Sequence, residues 1–111
     1  MSKASPGQRR KHLTPNVEEA WRSFSQSVLA DGALDARTKQ LIAVAVAHVT
    51  QCPDCIRGHV RGAVREQATE QQIMEAIWVA AEMRAGGAVA HSRRAFEAWD
   101  ETQERRHAGG T

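Results

Sequence analysis

The sequence predicts an all-α protein: a compact bundle of about five helices in a single domain. Alanine is abundant, and apolar residues recur at helical spacing rather than in alternating runs. Capping and proline signals also divide the chain into helix-length segments. A chain of 111 residues can build one hydrophobic core, but it leaves apolar helix surface that copies of itself could cover.

The first two predicted helices follow residues 1–12, which we expect to form a disordered N-terminal arm. Thr14 and Pro15 supply a capping hydroxyl and a proline at the first helical position, so a helix should begin there. Its apolar stripe consists of Val17, Trp21, Phe24 and Val28. Asp35 can cap a second helix, over about residues 36–49, which is nearly all apolar on one side.

Three more helices are predicted in the second half of the chain. A proline fits the first turn of a helix better than its interior, so a third helix should run over about residues 53–67. Thr69 and Gln72 form a capping box that opens a fourth helix. The pair Gly86 and Gly87 then predicts a break before a final helix.

Basic residues concentrate at the two ends of the chain, around the predicted domain of residues 13–106. The glycine-rich residues 107–111 are expected to form a flexible tail. The formal net charge is only +2, and the basic clusters are short and lack interleaved aromatic residues. We therefore interpret them as solvated chain ends and expect no nucleic-acid partner.

The hydropathy pattern argues against a membrane protein. No segment approaches the roughly 18–20 apolar residues that span a bilayer, and the first six residues lead into charge rather than into an apolar signal core. We expect a cytoplasmic protein with no membrane partner. In a reducing cytoplasm, a close cysteine pair indicates redox, catalytic or metal chemistry more often than a structural disulfide.

The segment Cys-Pro-Asp-Cys-Ile-Arg-Gly-His carries the candidate chemistry. Cys52 and Cys55 are three positions apart, so on a helix their sulfur atoms can reach each other. The pair falls where a helix is expected to begin, and unpaired backbone N–H groups there favour thiolate over thiol. His59 lies one helical turn after Cys55 and can carry a proton for it.

A metal site is the main alternative for these residues. Cys-x-x-Cys supplies half of a zinc site, and His48, His59 or His91 could supply the remainder. The sequence has no second Cys-x-x-Cys, and the spacing Cys-x-x-Cys-x-x-x-His matches no usual zinc pattern. We therefore predict neither a bound metal nor a cofactor.

Two longer segments sharpen this interpretation. Residues 38–48, TKQLIAVAVAH, precede QCPDCIRGH at residues 51–59, and ATEQQIMEAI and AGGAVAH follow at residues 68–77 and 85–91. This pattern resembles the carboxymuconolactone decarboxylase superfamily, in particular the branch similar to alkyl hydroperoxidase D. The resemblance covers about residues 13–100 and is most specific at the Cys-x-x-Cys-x-x-x-His core.

The resemblance implies an all-helical subunit that assembles into trimers or hexamers. It also implies thiol chemistry, in which Cys55 attacks a peroxide, Cys52 resolves the product as a disulfide, and a dithiol reductant protein restores both thiols. His59 would carry the proton. The branch that decarboxylates a muconolactone generally lacks the cysteine pair, so that reaction is the less expected inheritance.

The chain departs from the family pattern at two positions. The family's proton relay usually begins with a glutamate where this chain has Gln40, and an amide can orient His59 but cannot exchange protons with it. Family members often have histidine where this chain has Asp54, whose carboxylate disfavours a neighbouring thiolate. His48 and His91 are further candidates for lining the site.

We interpret the sequence as that of a thiol-dependent peroxidase or disulfide oxidoreductase, with a hydroperoxide or disulfide as substrate. Its candidate catalytic residues are Cys55, Cys52, His59 and Gln40. Two other classes stay open: a redox-sensing or metal-binding module on the same scaffold, and a decarboxylase-type enzyme acting on a small lactone. The last would use His48 or His59 as a base and would survive loss of both cysteines.

Overall fold

The computed structural model describes residues 3–109, and these residues form six α-helices with no β-strand among them. The predicted all-α class is confirmed. The helices are α1 (Pro6–Leu13), α2 (Pro15–Leu29), α3 (Ala36–Thr50), α4 (Pro53–Arg65), α5 (Glu70–Ala90) and α6 (Ser92–Gly109). None of the helices within these residues is both long enough and apolar enough to cross a membrane.

Side-chain caps fix the starts of the central helices. The Asp35 carboxylate accepts a hydrogen bond of 2.8 Å from the Thr38 backbone N–H at the start of α3. The backbone N–H of Gln72 donates to the Thr69 hydroxyl at 3.1 Å, and the Thr69 N–H donates to the Gln72 side chain at 2.9 Å. These bonds satisfy backbone donors that a helix start otherwise leaves unpaired. Both predicted helix starts are confirmed.

The sequence predicted a disordered N-terminal arm over residues 1–12, but residues 6–12 belong to α1. Ser5 and Gln8 form a capping box, and Pro6 occupies the first helical position. The Arg10 guanidinium contacts the Glu18 carboxylate of α2 at 3.0 Å, and only 8% of that carboxylate side chain is exposed. The capping box and Pro6 together form a helix-start signal, which explains why this segment is helical. Residues 1, 2, 110 and 111 lie outside the described residues.

The predicted break at Gly86 and Gly87 is also wrong, because α5 continues through both glycines to Ala90. Glycine weakens a helix by about 1 kcal/mol relative to alanine, which neighbouring turns can offset. The chain turns instead at His91, whose N–H still donates to the Gly87 carbonyl at 3.1 Å. Likewise, α6 extends to Gly109, so residues 107–109 are helical rather than a flexible tail.

The centre of the molecule is formed by α3, which packs against both α4 and α5. Its buried apolar residues are small: Val44 and Ala47 of α3, Ala63 of α4 and Ala80 of α5. Small residues at these contacts allow the helix backbones to approach closely. The helix α1 packs on α2, and that pair and α6 extend away from the centre.

The single chain is elongated, measuring 74 × 37 × 31 Å with a radius of gyration of 22.1 Å. A compact domain of this length would have a radius of gyration of roughly 13 Å. Large apolar side chains accordingly lie on the surface, including Trp21 (61% exposed), Trp78 (65%) and Trp99 (63%). None of these three tryptophans is therefore part of the core of one chain.

Candidate functional site

The cysteine pair lies at the N-terminus of α4, as predicted. Cys52 is the N-cap residue, Pro53 is the first residue of the helix, and Cys52 and Cys55 form a disulfide with their Cα atoms 5.2 Å apart. The Cys55 backbone N–H donates to the Cys52 sulfur at 3.3 Å. This donor and the positive end of the helix dipole stabilise negative charge on the Cys52 sulfur when the disulfide is opened.

His59 is held by a residue of the neighbouring helix. Its Nδ1 lies 2.9 Å from Oε1 of Gln40 in α3, in a partly buried position. The amide oxygen can only accept, so Nδ1 carries the proton of the neutral ring. The Nε2 atom is consequently left with its lone pair free to accept a proton. The predicted role of Gln40 in orienting the ring therefore has a matching contact.

A glycine that the sequence analysis did not single out lies beneath this contact. Gly62 is buried in α4, and a Cβ atom built there would lie 2.6 Å from Cδ and Oε1 of Gln40. The Gln40 side chain thus occupies the space where any other residue at position 62 would place its side chain. Only the pairing of α3 with α4 reveals this, because the two residues are far apart in sequence.

A cavity of about 230 Å³ adjoins the imidazole. Its lining consists of Trp21, Phe24, Ser25, Val28, Leu29, Ala43 and His59. Residues of α2, including three of its apolar stripe, therefore form most of the pocket wall. His59 is the titratable residue in that wall, which places a proton acceptor beside an apolar space.

The other candidate histidines do not join this cluster. His48 Nδ1 donates to the Val44 carbonyl, one turn back in its own helix, at 2.7 Å. His91 Nδ1 donates to the Gly87 carbonyl in the same manner, also at 2.7 Å. Asp54 is exposed in the first turn of α4. Within residues 3–109, no hydrogen bond connects His48, His91 or Asp54 to the cysteines or to His59.

The described residues offer no ready metal site. Among residues 3–109, no group of three or more histidine, cysteine or acidic side chains is arranged so that it could hold a metal ion. The Cys52 and Cys55 sulfurs are bonded to each other, and the free Nε2 of His59 is not accompanied by two further ligands. The site therefore consists of a disulfide and, one helical turn further along α4, an imidazole that Gln40 orients.

Known proteins resemble this chain in both sequence and fold. The chain is 67% identical over 86 residues to uncharacterized protein 4 in the cox locus of Paracoccus denitrificans, covering 78% of each chain. A crystal structure of a Methanobacterium thermoautotrophicum protein is 35% identical, with a TM-score of 0.71 over 77% of this chain and 96% of that one.

A third match concerns a crystal structure from Thermotoga maritima. That protein is a carboxymuconolactone decarboxylase family member described as a candidate for the antioxidative response. It is 30% identical, with a TM-score of 0.59 over 86% of this chain and 97% of that one. The model of the carboxymuconolactone decarboxylase family matches residues 15–98, which include the whole dithiol site. This chain therefore belongs to the carboxymuconolactone decarboxylase family.

Proposed function

We propose that the protein is a thiol-dependent peroxidase that reduces hydroperoxides through Cys55 and Cys52 and is itself reduced by a dithiol protein. The observation that carries this proposal is the Cys52–Cys55 disulfide at the start of α4, one helical turn from an imidazole that Gln40 orients. The antioxidative link described for the Thermotoga maritima protein agrees with it. A reducing cytoplasm would supply the electrons.

The oxidation step uses Cys55 and His59. Nε2 of His59 accepts the thiol proton of Cys55, and the thiolate attacks the terminal oxygen of the hydroperoxide. A sulfur–oxygen bond forms while the oxygen–oxygen bond breaks, which leaves a sulfenic acid on Cys55. The departing alkoxide takes the proton from His59 and leaves as an alcohol, so the imidazole is neutral again.

The resolution step uses Cys52. Its sulfur attacks the sulfenic acid of Cys55, the disulfide forms, and the hydroxyl leaves with the Cys52 proton as water. A thiolate of the reductant then attacks the exposed Cys55 sulfur, and Cys52 is the leaving thiolate. The Cys55 N–H, 3.3 Å from the Cys52 sulfur, stabilises that leaving group. The second thiol of the reductant completes the exchange and returns the dithiol.

The cavity beside His59 bears on substrate choice. Aromatic and aliphatic side chains of α2 form most of its wall, and its volume of about 230 Å³ suits a small organic group. We expect organic hydroperoxides with an apolar group to react faster than hydrogen peroxide, because the apolar group can be buried against Trp21 and Phe24.

Assembly is part of the proposal. A single chain exposes large apolar side chains along α2, α5 and α6 and is far more extended than a compact domain. Contiguous apolar surface of this kind is typical of interfaces. We propose that copies of the chain cover it in a trimer or hexamer.

The decisive experiment measures hydroperoxide consumption with a chemical dithiol as reductant. We expect Cys55→Ser to abolish turnover, and Cys52→Ser to form a sulfenic acid or a mixed disulfide that mass spectrometry detects. Turnover at the wild-type rate in both variants would disprove the thiol mechanism. Reversible disulfide formation without turnover would instead support a redox-sensing role.

A further variant tests the relay. Gln40→Glu places a carboxylate where the amide now contacts His59 at 2.9 Å, and that charge stabilises the imidazolium formed during the reaction. We expect faster turnover, because the carboxylate favours transfer of the Cys55 proton to the imidazole. Lactone decarboxylation that persists without both cysteines would favour the decarboxylase-type alternative.

A further inference from the structure

At one point of contact between α3 and α4, there is no space for a side chain on Gly62. An ideal Cβ atom at Gly62 would lie 2.6 Å from Cδ and Oε1 of Gln40 and 2.8 Å from its Nε2. Non-bonded carbon atoms normally pack at about 3.5–4.0 Å. The amide group of Gln40 therefore lies directly on the backbone of α4, and no side chain at position 62 is compatible with that placement.

The same amide group is held on its other side by His59. Its Oε1 accepts the Nδ1 hydrogen bond at 2.9 Å. His59 and Gly62 are three positions apart on α4 and so lie on one face of that helix. The Gln40 side chain bridges this face, and displacing it from Gly62 would break its bond to the imidazole.

We propose that Gly62 is a positioning residue of the dithiol site. Its missing side chain allows the Gln40 amide to reach His59, and that contact fixes the imidazole with Nε2 free. The consequence for turnover rests on the proposed function. The consequence for the imidazole does not, because the contact orients the ring whether or not the protein reduces peroxides.

A second glycine of α4 provides a matched control. Gly58 lies one turn earlier in the same helix, and a Cβ atom built there meets nothing within 4 Å. Glycine inside a helix is ordinarily less favourable than alanine. Alanine should therefore stabilise the protein at position 58 but not at position 62, where the end of the Gln40 side chain must move, although the two substitutions are chemically identical.

The experiment compares Gly62→Ala and Gly58→Ala in the oxidised full-length protein, each with and without Gln40→Ala. We expect Gly58→Ala to raise the melting temperature slightly and Gly62→Ala to lack that gain, because the end of the Gln40 side chain must move and its hydrogen bond to His59 is lost. In the Gln40→Ala background, where the obstructing amide is gone, Gly62→Ala should become as favourable as Gly58→Ala.

The tautomer of His59 gives a readout that a merely structural role would not move. Nitrogen-15 NMR should show protonation at Nδ1 in the wild type and in Gly58→Ala, because Gln40 accepts from that atom. In Gly62→Ala the signal should change to that of Gln40→Ala. Peroxide consumption should fall by the same factor in those two variants and no further in the double variant.

Either of two results would overturn the proposal. One is a His59 tautomer unchanged in Gly62→Ala; the other is a melting temperature of Gly62→Ala that stays below that of Gly58→Ala in the Gln40→Ala background. Absence of peroxide turnover in the wild type would overturn the proposed function alone, since the tautomer and melting measurements need no turnover.

Discussion

The centre of the molecule and its flanks are built differently. In the centre, α3, α4 and α5 meet through small side chains such as Ala47, Ala63 and Ala80, all of them buried. In the flanks, α2 and α6 present large apolar side chains, such as Phe24 and Phe96, that stay exposed in one chain. The centre contains the buried apolar residues of the chain, whereas the flanks present large apolar side chains that lack a partner within the chain.

The two regions also differ in the kind of contact that each provides. The disulfide and the Gln40–His59 contact come from α3 and α4, which pack closely enough for an amide to lie on a glycine backbone. The large residues of the flanks would stabilise contacts between copies by about 25 cal/mol for each Å² of apolar surface they bury. The contacts within the site therefore belong to one chain, while much of the burial belongs to the proposed assembly.

The largest expected effect disrupts the exposed apolar surface, which includes Trp78 of α5 and Trp99 of α6. Replacing both Trp78 and Trp99 with glutamate puts charge into surface that copies of the chain are proposed to bury, and a buried unpaired charge is strongly unfavourable. We expect light scattering after size exclusion to show a fall from a trimer or hexamer to the 12.2 kDa chain. Arg93→Glu, on the same α6, changes charge without removing apolar surface and should preserve assembly. A wild-type protein that already has the mass of one chain would contradict the proposed assembly.

A smaller effect is expected when one valine in each region is replaced by alanine. Val44 is fully buried in the centre, whereas Val17 of α2 is 68% exposed in a single chain. Val44→Ala should lower the free energy of unfolding by about 2 kcal/mol, because it leaves a cavity in close packing. Chemical denaturation should show that loss at every protein concentration. Any loss from Val17→Ala should instead depend on concentration, because it acts through contacts between copies. Equal, concentration-independent losses would remove the distinction.

The smallest expected effect concerns Asp35, the cap of α3. The hydrogen bond from the Thr38 backbone N–H, followed by that from its side chain, holds the pKa of Asp35 below its usual 3.8. A lowered pKa means that the ionised cap stabilises α3 above pH 3.8 and that this contribution disappears as the pH falls through the folded-state value. Asp35→Ala should therefore lower the melting temperature at pH 7 but not under strongly acidic conditions. The same change at Asp100, which is exposed in the interior of α6 and caps no helix, should not lower the melting temperature at pH 7.

Local signals predicted the parts of the fold that depend on neighbouring residues. The caps at Asp35 and Thr69 and the dithiol at a helix start each follow from residues within one turn of each other. The capping signal at Ser5 is equally local, although residues 1–12 were expected to be disordered. The two glycines of α5 show the opposite error, since a weak helix former does not end a helix whose backbone bonds continue.

Features that join two helices were less accessible from sequence. The contact of Gln40 with His59 was predicted from the family resemblance, and the structure contains it. The role of Gly62 was not predicted, because an isolated helical glycine gives no signal until the residue above it is known. The roles of Cys55 and Cys52 in turnover are still predictions.

Cys52 serves two structural roles with one side chain, since its sulfur forms the disulfide with Cys55 and also caps α4. Serine is a good helix cap and differs from cysteine by one atom. A single-base change to serine would therefore remove the disulfide and keep the helix start, whereas alanine would remove both. The scaffold can thus lose its disulfide in one evolutionary step without losing its shape. Helical relatives with serine at this position would be expected to keep the fold and to have been free to acquire other chemistry.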